Sequence, residues 1–142
     1  MTPNINLFTT SVGENANTII NQFNFLSEFK THKLKRAKLN LNVSQKKRSA
    51  LLPHVDNEDE RSISLVYYVI DSDGPTVLWP NQFLNDIRFD VRDVLKDSLF
   101  ARKRIHPKQG RMVKFPSNMI HSANIPHNFN KRIVLNMVFV PR

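Results

Sequence analysis

The strongest constraint on this chain is a series of short β-branched and aromatic runs separated by turn-forming residues. ISLVYYVI at 63–70 is the clearest. DSDGP and TVLW follow it. Further on, PKQG at 107–110 precedes RMVKF, then PSNMIHSANI, PHNFN and KRIVLNMVFV. Val, Ile, Tyr and Phe pack well on a pleated surface, whereas Gly, Pro, Asn and Asp supply the turns. Many such strands at short spacing predict a sandwich or barrel. The 63–70 run is apolar on both parities, which predicts burial on both faces. Residues 32–43 form a further strand by their period of two: Leu34, Lys38 and Asn40 share one parity, and Ala37, Leu39, Leu41 and Val43 the other. Gly74, in the DSDGP turn, is able to take positive φ.

Two stretches depart from this pattern. In 17–29, NTIINQFNFLSEF, the apolar spacing suits a short amphipathic helix, with Phe23 and Phe25 as core residues. In 81–104, Leu84, Ile87, Val91, Val94 and Leu95 fit a helix face, while Ile87, Phe89 and Val91 alternate as in a strand. That predicts a mixed excursion, helical near 92–100. A length of 142 residues suits one domain with a real core. The reading is a single domain over 1–142: an N-terminal arm and helix in 1–30, then a core in 31–142.

Composition removes several classes of function. There is no Cys, hence no disulfide, thiolate metal site or Cys nucleophile. No apolar run is long enough to span a membrane. The first residues lack a basic segment followed by an apolar one, so no secretory signal is expected and a cytoplasmic location is. The formal charge is +9, from 21 basic and 12 acidic residues. The basic residues gather in 30–48 and 102–114, where they could face a phosphate backbone or an acidic protein. Few aromatics interleave them, which disfavours base stacking on a single strand.

The stretch that carries chemistry is His54-Val55-Asp56. Pro53 holds the backbone extended before it, and side chains two apart on an extended segment point the same way. One face can therefore offer an imidazole and a carboxylate to one metal ion. A third ligand must come from elsewhere in the chain. Two His and one carboxylate on one side of a metal form the facial triad of non-heme Fe(II) oxygenases, which leaves positions open for substrates. The DSDG segment is not a calcium loop, because the later ligand positions and the closing Glu are missing.

The ordered set HVDN…R..S..YY, DSDG.T, P..GR…FPS…H and R…N..F, spread over about 36–139, resembles the double-stranded β-helix core of the Fe(II)/2-oxoglutarate-dependent oxygenases, in their prolyl 4-hydroxylase-like branch. The resemblance implies a mainly β, cupin-like jelly roll. It implies Fe(II) held by His54, Asp56 and His121, with His127, in a turn, as a poorer rival for the distal position. His32 and His106, in basic segments, are expected to face solvent. Arg132 is implied as the anchor of the distal carboxylate of 2-oxoglutarate, with Tyr68 sharing the role, while Tyr67 points to the opposite face. The family often has Ser or Thr two residues after this Arg; here the residue is Val134. Asn136 shares the parity of Arg132 and is a further pocket candidate.

The implied activity is a dioxygenase that uses O2 and 2-oxoglutarate, hydroxylates an unidentified protein or small-molecule substrate, and releases succinate and CO2. Two other readings stay open. One is a non-catalytic jelly-roll binding module that uses its basic clusters, nucleic acid included. The other is a cupin-like metalloprotein that does not use 2-oxoglutarate. Residues 44–53 and 81–104 are the candidates to line a substrate entrance.

Overall fold

The computed structural model describes residues 6–9, 30–47, 49–83 and 102–142. The expected helix in 17–29 and the helical part near 92–100 lie outside these residues. Every regular element among them is a strand: β1 (Asn6–Thr9), β2 (His32–Val43), β3 (Ile63–Tyr68), β4 (Thr76–Phe83), β5 (Lys103–Ile105), β6 (Arg111–Pro116), β7 (Met119–Ala123) and β8 (Lys131–Pro141). They form two sheets, one in the order β1-β6-β3-β8-β2 and a smaller one in the order β5-β4-β7. All pairings are antiparallel. This is a mainly β, jelly-roll architecture.

The alternation of side chains explains how the core divides. Val66, Tyr68, Val113, Phe115 and Val134 from the large sheet meet Leu78, Ile105 and Met119 from the small one in a single buried cluster. Residues of opposite parity on the large sheet form a second cluster on its outer face, Leu65, Met112, Met137 and Phe139, with Ile63, Tyr67 and Leu135 packed against it. The outer face of the small sheet holds Val77, Trp79 and Ile120. β3 is apolar on both parities because it contributes to the first two clusters. Truncating a residue such as Phe115, 1% exposed, would cost about 3–5 kcal/mol.

Among the described residues β2 is an edge strand of the large sheet, and its register contains a bulge. Leu34 pairs with Phe139, yet Arg36 pairs with the next residue along, Val138. The extra residue, Lys35, flips the faces that follow. Leu34 therefore shares the outer face with Leu39, Leu41 and Val43, not the face of Lys38 and Asn40 that simple alternation gives it. Leu39 and Leu41 are 64% and 60% exposed. Arg36, Lys38, Asn40 and Asn42 turn inward, opposite Val138, Asn136, Val134 and Arg132.

Two turns deserve their glycines for different reasons. Gly110, before β6, has φ of 81°, where a residue without Cβ meets no steric penalty. Gly74 could take positive φ but does not. Its lack of a side chain serves close approach instead: a Cβ there would overlap the Asn124 carbonyl oxygen and stand 3.2 Å from Arg132 Cδ.

The segment before β3 adds a seam to the small sheet. Ala50 bridges Asn124, and His54 bridges His121. His54 and His121 exchange both backbone hydrogen bonds at 2.9 Å, and Asp56 N donates to Ser117 O at 2.9 Å. These bonds set His54 and Asp56 beside β7 and fix where their side chains converge.

Candidate functional site

His121 has the parity of Met119 on β7, so it points between the sheets, where Phe115 packs edge-on against its ring at 4.8 Å between centroids. The His54 ring lies 4.4 Å from that of His121. Asp56 completes the group, and one donor atom from each of the three residues lies within 4.8 Å of the others. His54 Nε2 is 3.6 Å from Asp56 Oδ1, and His121 Nε2 is 3.4 Å from Asp56 Oδ2. The imidazole of His54 is half exposed, whereas the His121 and Asp56 side chains are buried.

The tautomers follow from the backbone. His54 Nδ1 lies 3.1 Å from Leu52 O, and His121 Nδ1 lies 2.9 Å from Met119 O. A carbonyl oxygen only accepts, so each Nδ1 carries hydrogen and donates it. In the neutral rings each Nε2 then presents a bare lone pair to the Asp56 carboxylate. His121 Nε2 is buried and lacks a hydrogen-bond partner among the described residues. Two lone pairs and an anion facing one another need a cation between them or protons on the rings. Orientation of the metal-facing nitrogen by a backbone acceptor on the other is the usual arrangement of a ligating His. The donor set, imidazole nitrogens with one carboxylate oxygen, suits Fe(II).

The carboxylate is held from behind. Ser64 Oγ donates to Asp56 Oδ2 at 2.6 Å, with Ser117 Oγ 2.9 Å from Ser64 Oγ, and Arg36 Nη2 donates to Asp56 Oδ1 at 3.3 Å. Burial pushes the Asp56 pKa up, but with protons on the ring nitrogens that face it, hydrogen bonds from the His121 and His54 imidazoles, together with the Ser64 hydroxyl, outweigh it and hold the group well below the usual carboxylate range. Asp56 in turn raises the pKa of His54, against the effect of burial.

A cavity of about 590 Å³ opens beside this group, and Arg132, Thr76, Val134 and Asn136 line it together with the inward face of β2. Arg132 is 3% exposed. Its Nε donates to Gly74 O at 2.7 Å and its Nη2 to Thr76 Oγ1 at 2.9 Å. Burial lowers its pKa and Tyr68 works the other way; a guanidinium stays charged throughout. The Tyr68 hydroxyl donates to Thr76 Oγ1 at 2.6 Å, with Ile105 O at 3.3 Å. The Arg132 guanidinium stands 5.8 Å over the Tyr68 ring. Burial raises the Tyr68 pKa, so the phenol stays protonated and donates.

The remaining sequence candidates separate clearly. Tyr67 faces the outer cluster, as expected. Asn136 lines the cavity, with its Oδ1 buried and unpartnered among the described residues. His127 is exposed in a turn where Asp73 accepts from its backbone N–H at 3.0 Å, and it takes no part in the group. His106 is exposed. His32 is not simply solvated, since its Nε2 lies 2.8 Å from Arg61 O. Thr76, Ser64 and Arg36 were not legible as site residues. Thr76 and Ser64 sit in strand-like runs where a hydroxyl looks like an ordinary packing residue, and Arg36 sits in a run of cations.

Residues 39–140 match the 2OG-Fe(II) oxygenase superfamily. This chain belongs to that superfamily. Solved structures share the oxygenase fold at low sequence identity. The non-heme alpha ketoglutarate dependent carbocyclase SnoK from nogalamycin biosynthesis superposes with a TM-score of 0.64 at 15% identity, over 77% of this chain and 49% of that one. The epimerase SnoN, in complex with Fe3+, alpha ketoglutarate and nogalamycin RO, gives 0.62 at 13% identity, over 96% of this chain and 63% of that one. A Pseudomonas putida prolyl-4-hydroxylase gives 0.55 at 14% identity, over 99% of this chain and 74% of that one. The chain thus spans about half the length of SnoK. No curated protein matches it in sequence. Among the described residues, no helix is long and apolar enough to cross a membrane.

Proposed function

We propose that this chain is an Fe(II)- and 2-oxoglutarate-dependent dioxygenase that hydroxylates a substrate and releases succinate and CO2. The observation that carries this reading is the convergence of His54 Nε2, His121 Nε2 and the Asp56 carboxylate, with the His121 nitrogen buried and without a hydrogen-bond partner among the described residues. His54, Asp56 and His121 would hold the metal. Bound iron with 2-oxoglutarate supplies the oxidising chemistry, and the protein supplies geometry and electrostatics.

Arg132 and Thr76 are assigned to the distal carboxylate of 2-oxoglutarate. A guanidinium has five N–H donors, and two of those of Arg132 are taken by Gly74 and Thr76. Those that remain border the cavity. Thr76 Oγ1 accepts from both Tyr68 and Arg132, so its own hydrogen is left to donate. A buried cation with a converging hydroxyl suits a carboxylate, for which Arg offers a planar, bidentate match. Thr76 thus supplies, from the opposite sheet, the hydroxyl that Val134 lacks. Tyr68 positions Thr76 and lies beneath the guanidinium. Ser64 and Arg36 keep Asp56 ionised and oriented, which a ligand carboxylate requires.

The test is an anaerobic titration of the purified protein with Fe(II), then 2-oxoglutarate, following the visible metal-to-ligand charge-transfer band of the chelate. The band is expected in the parent protein, absent in His121→Ala, and shifted to higher cosubstrate concentration in Arg132→Ala. Fe(II) binding without a band would overturn the cosubstrate assignment. Failure to bind Fe(II) would overturn the reading as a whole.

A further inference from the structure

We propose that the substrate hydroxylated at this site is an anion, a carboxylate or phosphate carried on an apolar body, and that Lys38 on β2 recognises its charge. This rests on the oxygenase reading above. The bulge at Lys35 is the starting point. It turns Arg36, Lys38, Asn40 and Asn42 toward the cavity and sets the leucines of β2 on the opposite parity, although Leu39 and Leu41 also border the cavity. Inward residues two apart on a strand stand about 6.7 Å from one another, so the row runs as a polar ladder along the cavity wall. One rung is fixed at the candidate metal centre, where Arg36 reaches Asp56 at 3.3 Å. The rung at Asn42 pairs with Arg132. Lys38 lies between them, in register with Asn136.

Charge bookkeeping favours an anion. Among the described residues, Arg36, Lys38 and Arg132 line the cavity and Asp56 is the one lining carboxylate, an excess of two positive charges. The charge of Fe(II) and that of the 2-oxoglutarate dianion cancel, so the excess persists when both are bound. Arg36 is matched by Asp56, and Arg132 is buried at the far end. Lys38 is exposed and makes no ion pair among the described residues. A cleft of one sign with low-dielectric walls concentrates ligands of the opposite sign. The walls beside the ladder are apolar, with Leu51, Val55, Val66 and Val134, which suits an apolar body behind the charged head. Asn136 Oδ1, buried without a partner among the described residues, is a further polar group of the wall that a ligand could meet.

The simpler reading of Lys38 is protection of an edge strand, since lysines there deter pairing with another sheet. That role needs charge on the strand but not on its inward face. Lys33 and Lys35 already provide it without lining the cavity.

The test uses the full chain loaded with Mn(II) and saturating 2-oxoglutarate, which occupies the Arg132 end and does not turn over. Three probes of similar size are titrated: phenylacetate, phenyl phosphate and neutral phenylacetamide. Paramagnetic broadening of the probe resonances reports proximity to Mn(II). At least one anion is expected to bind about tenfold or more tightly than the amide. That preference should fall to nearly one in Lys38→Gln and persist in Lys47→Gln, a surface control outside the cavity. Preference for phenylacetate identifies a carboxylate head, and preference for phenyl phosphate a phosphate. Equal binding of the amide and both anions, or an undiminished preference in Lys38→Gln, would overturn the proposal while leaving the oxygenase reading intact. Failure of Mn(II) or 2-oxoglutarate to bind would overturn both. Unchanged Mn(II) affinity in Lys38→Gln would show that the lost preference does not come from a damaged metal centre.

Discussion

Thr76 Oγ1 and Arg132 Nη2 lie 2.9 Å apart, a buried hydrogen bond that joins the small sheet to the large one. Two strands distant in sequence are locked in register at the place where a carboxylate would dock. Removing the hydroxyl should loosen cosubstrate binding without touching the metal group. Thr76→Val is expected to raise the KM for 2-oxoglutarate about tenfold with kcat nearly retained, and Thr76→Ser to restore it. Steady-state kinetics at varied cosubstrate, with Fe(II) saturating, would check this. A fall in kcat alone would argue against the assignment.

Ser64 is the buried donor to Asp56, at 2.6 Å. Groups that orient a metal ligand typically change metal affinity 10–100-fold when removed. Ser64→Ala is expected to weaken Fe(II) or Mn(II) binding by about tenfold while leaving the thermal midpoint of the metal-free protein nearly unchanged. Calorimetric titration of the two proteins is the measurement. Equal affinities would mean that Arg36 alone suffices to hold the carboxylate.

Gly74 has no room for a side chain, because a Cβ would overlap the Asn124 carbonyl oxygen and press on Pro126 and Arg132. Backbone on both sides cannot yield as a flexible side chain would. Gly74→Ala should therefore cost about 2 kcal/mol or more, read as a lower midpoint in denaturant unfolding. It should also displace the guanidinium that depends on Gly74 O, and so weaken 2-oxoglutarate binding in the fraction that folds.

Asp73 accepts backbone N–H bonds from His127, Asn128 and Phe129 at 3.0, 2.7 and 3.4 Å. Burial opposes the charge, but these donors together prevail and its pKa is lowered. The unfolded chain then binds a proton more readily than the folded one, so stability from this group rises with pH. It is fully present above the unfolded value of about 3.9 and is lost as pH falls through the lower folded value. Asp73→Asn should be less stable than the parent at pH 7, with the difference shrinking below about pH 4. Urea midpoints across that range would show it; a constant difference would exclude the carboxylate as its source.

Much of this was legible from residue patterns, and the parts that were not have physical reasons. β-branched runs and turn signals located β3, β6, β7 and β8 because those strands pack on one or two apolar clusters. β2 was legible as a strand from its two-fold pattern, but its orientation was not. A binary pattern reads leucines as inward, whereas here the inward face borders a polar cavity and carries Arg36, Lys38, Asn40 and Asn42. The bulge at Lys35 has no signature in residue type. His54 and Asp56 were legible because their spacing is local. The position of His121 beside them depends on a bridge between segments more than sixty residues apart, and only the family resemblance pointed to it. Thr76 escaped notice because its role is defined by partners on another sheet.

The bridge between His54 and His121 has a consequence for a chain that holds no cysteine. A metal ion bound by His54, Asp56 and His121 would cross-link the segment before β3 to β7 and close a loop of roughly 65 residues. By the chain-entropy relation used for disulfides, a closure of that length restricts the unfolded ensemble by about 4 kcal/mol. The ion would then act as a reversible staple as well as a reaction centre, and stripping it with a chelator would release a fastening comparable to a reduced disulfide.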